Sequence, residues 1–478
     1  MPSHLFTRRR TRRASYLAVI SVSSAAIVMA TACSSATKTT AAAPPQLHDI
    51  QHIVVVYMEN WSFDSLYGNF PGADGLTGAG RTTQLDKQGV PYVQLPQPLD
   101  STKAAKATTA QPAPVKPADP RFPATLANAP FNLETYVPPT NTIGDLGDGF
   151  YQEQMAIDAG RMDKFVTTGG VGALPMGYYD ATPLPLGQLA QGYTLDDNFF
   201  HAAFGGSMLN HFWLISGATP AWPDAPESMR AVVGPDGQLV KDGPVTPAGF
   251  LVNTAYPADG PHPASAPAGN LVPPLHTATI GDRLSSKGIS WAWYAGGWNN
   301  ALAGHPDPLF QFNHQPFAYY ANYANGTKGQ AAHLKDETDL VTAIRTNTLP
   351  AVTFYKPIGA NNEHPGYANL LDGETNAANL INSIMASPAG KNTAIVVTYD
   401  ENGGFWDHVP PPFVDSWGPG TRVPTIVISP FAKKGFVDHT QYDTTSVLAL
   451  IEHRYNLTPL GSRDANAADL VNSFAFTR

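Results

Sequence analysis

Short unbroken apolar runs recur along the chain, and each stops abruptly on polar groups. Residues 52–58, His-Ile-Val-Val-Val-Tyr-Met, end on Glu59 and Asn60; residues 394–399 end on Asp400 and Glu401, followed by the pair Gly403-Gly404. Runs of this length and uniformity predict strands buried on both faces. Further strands are predicted over 193–200, 289–294, 351–355 and 423–429. Helical spacing predicts helices over 151–166, with Met155, Met162, Phe165 and Val166 on one side, and over 184–190, 277–287, 374–385 and 443–455. Strands alternating with helices favour an α/β fold, a three-layer α/β/α sandwich with a mainly parallel central sheet. In such a sheet the carboxyl ends of parallel strands face the ligand crevice, and a Gly-Gly there lets backbone come close to a bound group.

Composition changes this picture in the loops. The 478 residues include 44 Pro and 42 Gly while aromatics stay at 10%, which implies long ordered loop insertions, chiefly over 94–139 and 218–275. With 43% apolar residues and no break in composition, residues 47–478 are expected to form a single domain. Ahead of them the pattern differs. Arginines at 8–10, 12 and 13 precede an uncharged stretch from Ala14 to Ala32, so residues 1–33 read as an export signal. The alternative, a single-pass anchor, is disfavoured by the Ser- and Ala-rich composition. Cys33, the sole cysteine, follows Ala30-Thr31-Ala32 and resembles a bacterial lipoprotein cleavage box, with a stray free thiol as the alternative. Residues 34–46 have no apolar face to bury and read as a flexible tether. The expected location is therefore the periplasm or cell surface, through an N-terminal lipid anchor to the membrane, or the exterior.

Cysteine usage also excludes disulfides and thiolate metal sites from the fold. Without residues 1–32, 24 basic and 38 acidic side chains remain, a net charge of −14, which argues against nucleic acid as a partner.

The chemistry lies at the strand ends. Glu59-Asn60 and Asp400-Glu401 are separated by more than 300 residues in sequence, yet a parallel sheet can bring them to one edge. Carboxylate and amide oxygens suit one hard divalent cation such as Ca²⁺, Mg²⁺ or Mn²⁺, and a cation would relieve the repulsion among them. The bland reading is that each pair caps a neighbouring helix. Ser207 follows Gly205-Gly206 ahead of the apolar run 212–215, where free backbone N–H groups at a helix start attract anions. It is a candidate nucleophile activated by metal contact, with a simple turn residue as the alternative. His364 and His408 stand near the proposed centre in sequence and suit phosphate contact or leaving-group protonation, against the alternative of solvated loop histidines.

Five stretches in collinear order carry a more specific signal: residues 58–64 (MENWSFD), 205–211 (GGSMLNH), 362–367 (NEHPGY), 399–408 (YDENGGFWDH) and 418–430 (GPGTRVPTIVISP). Together they resemble the bacterial phosphoesterase family of acid phosphatases and non-specific phospholipases C. The resemblance implies an alkaline-phosphatase-like fold and a phosphoenzyme mechanism. It implies that Glu59, Asn60, Asp400 and Glu401 hold the metal together with Ser207, the attacking residue, and that His364 contacts phosphate or the leaving group. Ser207, where the phospholipase branch usually has Thr, is more similar to the acid phosphatase branch. Two departures stand out: Asp148 occupies a position generally held by His, and Asn313-His314 replaces a frequent His-His pair. Asp148 would repel phosphate at neutral pH unless protonated or metal-bound.

The expected function is a metal-dependent hydrolase of phosphate esters, acid phosphatase-like, with a phosphoserine intermediate. One alternative is a phospholipase C cleaving phosphatidylcholine to diacylglycerol and phosphocholine, with Trp291, Trp293 and Trp298 offering a cage for choline unless they simply pack the core. The other is an inactive surface lipoprotein that binds a phosphorylated ligand.

Overall fold

The computed structural model describes residues 45–79, 82–103, 116–235 and 237–476. The export signal predicted over 1–33, its Cys33, and the tether as far as residue 44 lie outside the described residues.

Eight strands build one sheet: β1 (His52–Met58), β2 (Thr194–Asp196), β3 (Trp291–Ala295), β4 (Leu334–Asp336), β5 (Val352–Lys356), β6 (Thr393–Tyr399), β7 (Thr425–Ile428) and β8 (Phe436–Asp438), in the order β4-β3-β5-β1-β6-β7-β2-β8. β7 runs antiparallel to both its neighbours, and every other pairing is parallel. The central strands are the apolar runs of the sequence; β5, β6 and β7 are buried throughout, and β1 from its second residue. Helices flanking the sheet include α1 (Phe150–Ile157), α2 (Pro185–Gly192), α3 (Ser207–Ser216), α4 (Leu370–Ala386) and α5 (Thr444–Tyr455).

Register explains why both faces are covered. Val56 lies beside Tyr355 in the parallel β1–β5 pair, so Tyr57 points to the opposite face from Tyr355. The Tyr355 hydroxyl accepts from Asn376 of α4, and the Tyr57 hydroxyl donates to the Asn210 carbonyl of α3. One helix layer therefore contains α4 and the other α3, the three-layer α/β/α arrangement expected from the alternation of strands and helices.

Local chemistry redraws several predicted boundaries. The strand expected over 193–200 breaks after Asp196; Asp197 accepts the Asp74 N–H and His439, and Phe199–Phe200 pairs instead with Tyr442–Asp443. The helix expected over 151–166 ends at Ile157, because Asp158 and Ala159 turn left-handed (φ 47° and 56°) and Phe165–Thr168 restarts as a separate turn. Asn369 caps α4 four residues earlier than the periodicity indicated. The short strands β4 and β8 carry too few residues to show a period.

Candidate functional site

β1 and β6 pair in full register, from His52 beside Thr393 to Met58 beside Tyr399. Their ends are flush, so Glu59-Asn60 and Asp400-Glu401 emerge together, and all four side chains are buried. Asn60 adopts a left-handed conformation (φ 65°), and its N–H donates to Asp400 Oδ1 at 3.1 Å. The glycine pair serves this turn: a Cβ on Gly403 would sit 2.3 Å from the Asn60 carbonyl, and one on Gly404 would sit 2.7 Å from that of Gly147.

Ser207 opens α3. Its Oγ donates to Glu59 Oε2 at 3.0 Å and lies 3.5 Å from Asn60 Oδ1. Gly206, the N-cap, supplies no side-chain acceptor, which leaves the first N–H groups of the helix available to an anion. The other Glu59 oxygen has different partners. Lys356, the last residue of β5, bonds Oε1, and His314 Nε2 stands 3.3 Å from the same atom. His211, one turn into α3, stacks on His314 with ring centroids 4.9 Å apart and bonds the Ser207 carbonyl through Nδ1 at 2.7 Å. Burial, reinforced by the Lys356 charge, pulls both imidazoles well below their ordinary pKa, so both are neutral.

The carboxylates are out of balance. Burial first, and then the Glu59 charge, push Asp400 up to about 8. Burial, Asp148 and Asp400 raise Glu401, and burial raises Asp148, whose Oδ2 accepts from Asn60 Nδ2 at 3.2 Å. Asp400 Oδ2 and Glu401 Oε1 are buried and accept no hydrogen bond among the described residues. An unmet buried polar atom costs about 1–3 kcal/mol, and more when charged. An oxygen-rich donor set with unmet carboxylate oxygens fits a hard divalent cation. One atom each of Glu59, His211 and His314 also falls within 4.8 Å of the others, but Lys356 already neutralises the Glu59 oxygen on that side. The oxygen facing Ser207 is the one free to bind a cation.

A cavity of about 640 Å³ opens over Ser207, lined by Asp145, Asp148, Gln152, Tyr256, His314, His364 and Tyr367 among others. Of the residues singled out in the sequence, Asp148, Ser207, Asn313, His314 and His364 line it, and Glu59, Asn60, Asp400 and Glu401 form the buried cluster that Ser207 and Asp148 contact. The His364 ring stacks on Tyr367 at 4.3 Å, and its Nδ1 lies 4.0 Å from Asp145.

His408 does not line this cavity. Its Nδ1 contacts Asp64 at 2.7 Å beside Asp407 and Arg422, so its reading as a substrate residue is corrected. Trp291, Trp293 and Trp298 are buried in the core and do not line the cavity, which removes the choline cage. Lys356 and His211 were missed. Lys356 ends an apolar strand run beside Glu59-Asn60, the same signal that marked the carboxylates. His211 lies four residues after Ser207, one helical turn on.

The chain matches the Phosphoesterase family over residues 50–458. Among characterised relatives it is 26% identical to "Phospholipase C B" of Mycobacterium tuberculosis, over 98% of this chain and 86% of the relative. It is 24% identical to "Non-hemolytic phospholipase C" of Burkholderia pseudomallei, over 90% of this chain and 60% of the relative. Among solved structures it is similar to a protein in the alkaline phosphatase superfamily from Vibrio parahaemolyticus, at 10% identity and a TM-score of 0.34, covering 69% of this chain and 73% of that one. The match spans both strand ends, the Ser207 turn and the His364 loop, so the chain belongs to the phosphoesterase family and is a hydrolase of phosphate esters.

Proposed function

We propose that the chain is an exported, metal-dependent phosphatase-like hydrolase in which Ser207 attacks phosphorus, forms a phosphoserine, and is released by water. The observation that carries this reading is Ser207 Oγ at the uncapped start of α3, 3.0 Å from Glu59 and open to the cavity. A divalent cation held by Glu59, Asn60, Asp400, Glu401 and Ser207 would lower the hydroxyl pKa and offset charge on the transferring phosphoryl group. The chain's own residues supply the rest. Glu59 Oε2 accepts the Ser207 hydrogen bond and orients Oγ. The N–H groups at the start of α3 hold a phosphoryl oxygen as negative charge grows on it. His364, on the cavity wall, contacts phosphate or delivers a proton to the leaving oxygen. Asp148 faces the same space and favours phosphate only in its protonated form, the form toward which burial raises its pKa.

The polar lining of Asp145, Asp148, Gln152, Asp242 and Asn253 favours a small water-soluble ester. A phospholipase C activity is the second reading, favoured by the names of the relatives. The sequence of residues 1–46 supports export and attachment to the membrane through Cys33. No helix among the described residues is long and apolar enough to cross a membrane.

Turnover of p-nitrophenyl phosphate against p-nitrophenyl phosphorylcholine separates the two activities, and Ser207→Ala tests the mechanism. Loss of both activities in a folded Ser207→Ala protein is expected. Near-normal turnover in that variant would overturn the assignment, and tight phosphate binding without turnover in the wild type would favour a ligand-binding lipoprotein.

A further inference from the structure

We propose that Glu153 is a positioning residue for the nucleophile, holding the turn that presents Ser207 to the cavity. This rests on the reading of Ser207 given above. Glu153 sits in α1, is buried, and is absent from the cavity lining. Its carboxylate accepts from three donors outside its own helix. Oε2 takes the Gly205 N–H at 2.6 Å, and Oε1 takes the Thr421 N–H at 3.0 Å and His201 Nε2 at 2.9 Å. His201 and Gly205 bracket the turn that leads into Ser207, and Thr421 belongs to the loop lying against it.

The steric fit at this place is equally close. Gly205 is left-handed (φ 87°), and a Cβ there would come within 2.4–2.5 Å of the Phe150 backbone. The first turn of α1 therefore touches the glycine turn by backbone contact and, through Glu153, by a charge-assisted hydrogen bond. From the other side, a Cβ on Gly420 would fall 2.1 Å from His201 Cε1 and 2.7 Å from Glu153 Oε1, so glycine alone fits against the pair. Asn210 completes the hold from within α3: its Oδ1 accepts the Ala203 N–H, and its Nδ2 donates to the Ala203 and Gly205 carbonyls at 3.0 and 2.9 Å. Asn210 satisfies the turn's carbonyls, whereas Glu153 satisfies the N–H of the residue whose left-handed conformation aims Gly206 and Ser207. Since α1 begins directly after Asp148 and Gly149, the same helix fixes the spacing between the cavity wall and the nucleophile.

A displacement of about 1 Å at a reacting atom can cost on the order of a hundredfold in rate. Glu153→Gln keeps the shape but sets an amide N–H against a donor, so it moves the turn without touching substrate. The test measures kcat and KM on p-nitrophenyl phosphate, with thermal melting and metal content, for Glu153→Gln, Gly420→Ala and Ser207→Ala. In both Glu153→Gln and Gly420→Ala, kcat is expected to fall at least about tenfold while KM, metal content and cooperative melting are kept. Glu153→Asp, which keeps the charge on a shorter arm, should recover part of kcat. Wild-type kcat in both Glu153→Gln and Gly420→Ala, with Ser207→Ala inactive, would overturn the positioning role alone. An active Ser207→Ala protein would instead overturn the nucleophile assignment.

Discussion

Glu59 and Asp400 stand directly beyond the paired strands β1 and β6, whereas Asp64 and Asp407 lie five and seven residues further along the same two segments. Both pairs are buried. Around the second, Arg422 bonds Asp407 Oδ1 through Nε at 2.9 Å and Asp64 Oδ1 through Nη2 at 3.1 Å, and its Nη1 donates to the carbonyls of Asp74 and Asp197. The backbone N–H of Asp64 and that of Val409 add bonds to Asp407, and His408 completes Asp64. This cluster is closed by a fixed cation of the chain's own. Around the first, Lys356 neutralises one face of Glu59 only, and Asp400 Oδ2 and Glu401 Oε1 remain unmet among the described residues. The contrast teaches that buried acids at strand ends mark a site only where the chain leaves their charge uncompensated. Asp64, Asp407 and His408 also bring one ligand atom each within 4.8 Å of the others, but Arg422 already fills the place of a cation there.

Three substitutions probe this contrast. The largest effect belongs to the open cluster. Asp400→Asn removes one charge from an uncompensated site, and activity is expected to fall at least about a hundredfold in a protein that still folds; esterase assays and circular dichroism would check this. Next comes the closed cluster. Arg422→Met leaves Asp64 and Asp407 buried without a partner, and unfolding by urea should show a loss of about 3–5 kcal/mol. The smallest effect is one of pH. Burial draws the His408 pKa down, but the Asp64 carboxylate together with Asp407 outweighs it, and the net shift is upward from 6.5. A histidine with a raised folded pKa contributes stability that is complete below 6.5 and lost as pH rises through its folded value. Melting temperatures from pH 5 to 9 should show that loss in the wild type and a flatter profile in His408→Gln. An equal profile in both would remove His408 from the closed cluster's charge balance.

Much of the architecture was legible because buried parallel strands announce themselves as unbroken apolar runs. The same runs located Glu59, Asn60, Asp400 and Glu401, since a polar pair at the end of a covered strand has few other places to go. Ser207 was legible through the glycine pair before it. What escaped depends on contacts between distant segments. Lys356 offers no oxygen ligand, so only its place at the end of β5 beside Glu59 marks it. Glu153 looks like an ordinary helix residue until Gly205 and Thr421 fold onto it. The nearness of His408 to Asp400 in sequence does not survive the turn at Gly403-Gly404, which carries Asp407 and His408 away to Arg422. The break of the 151–166 helix at Asp158-Ala159 also has no periodic signature, since Met155 and Met162 keep helical spacing across it.

The central claim is that the open cluster holds a cation and the closed one does not. Elemental analysis of the purified protein beside its Asp400→Asn and Asp407→Asn variants tests it most directly. One divalent cation per chain is predicted for the wild type and for folded Asp407→Asn, with the metal lost in Asp400→Asn. Metal retained by Asp400→Asn, or lost on changing Asp407 in a protein that remains folded, would contradict the account.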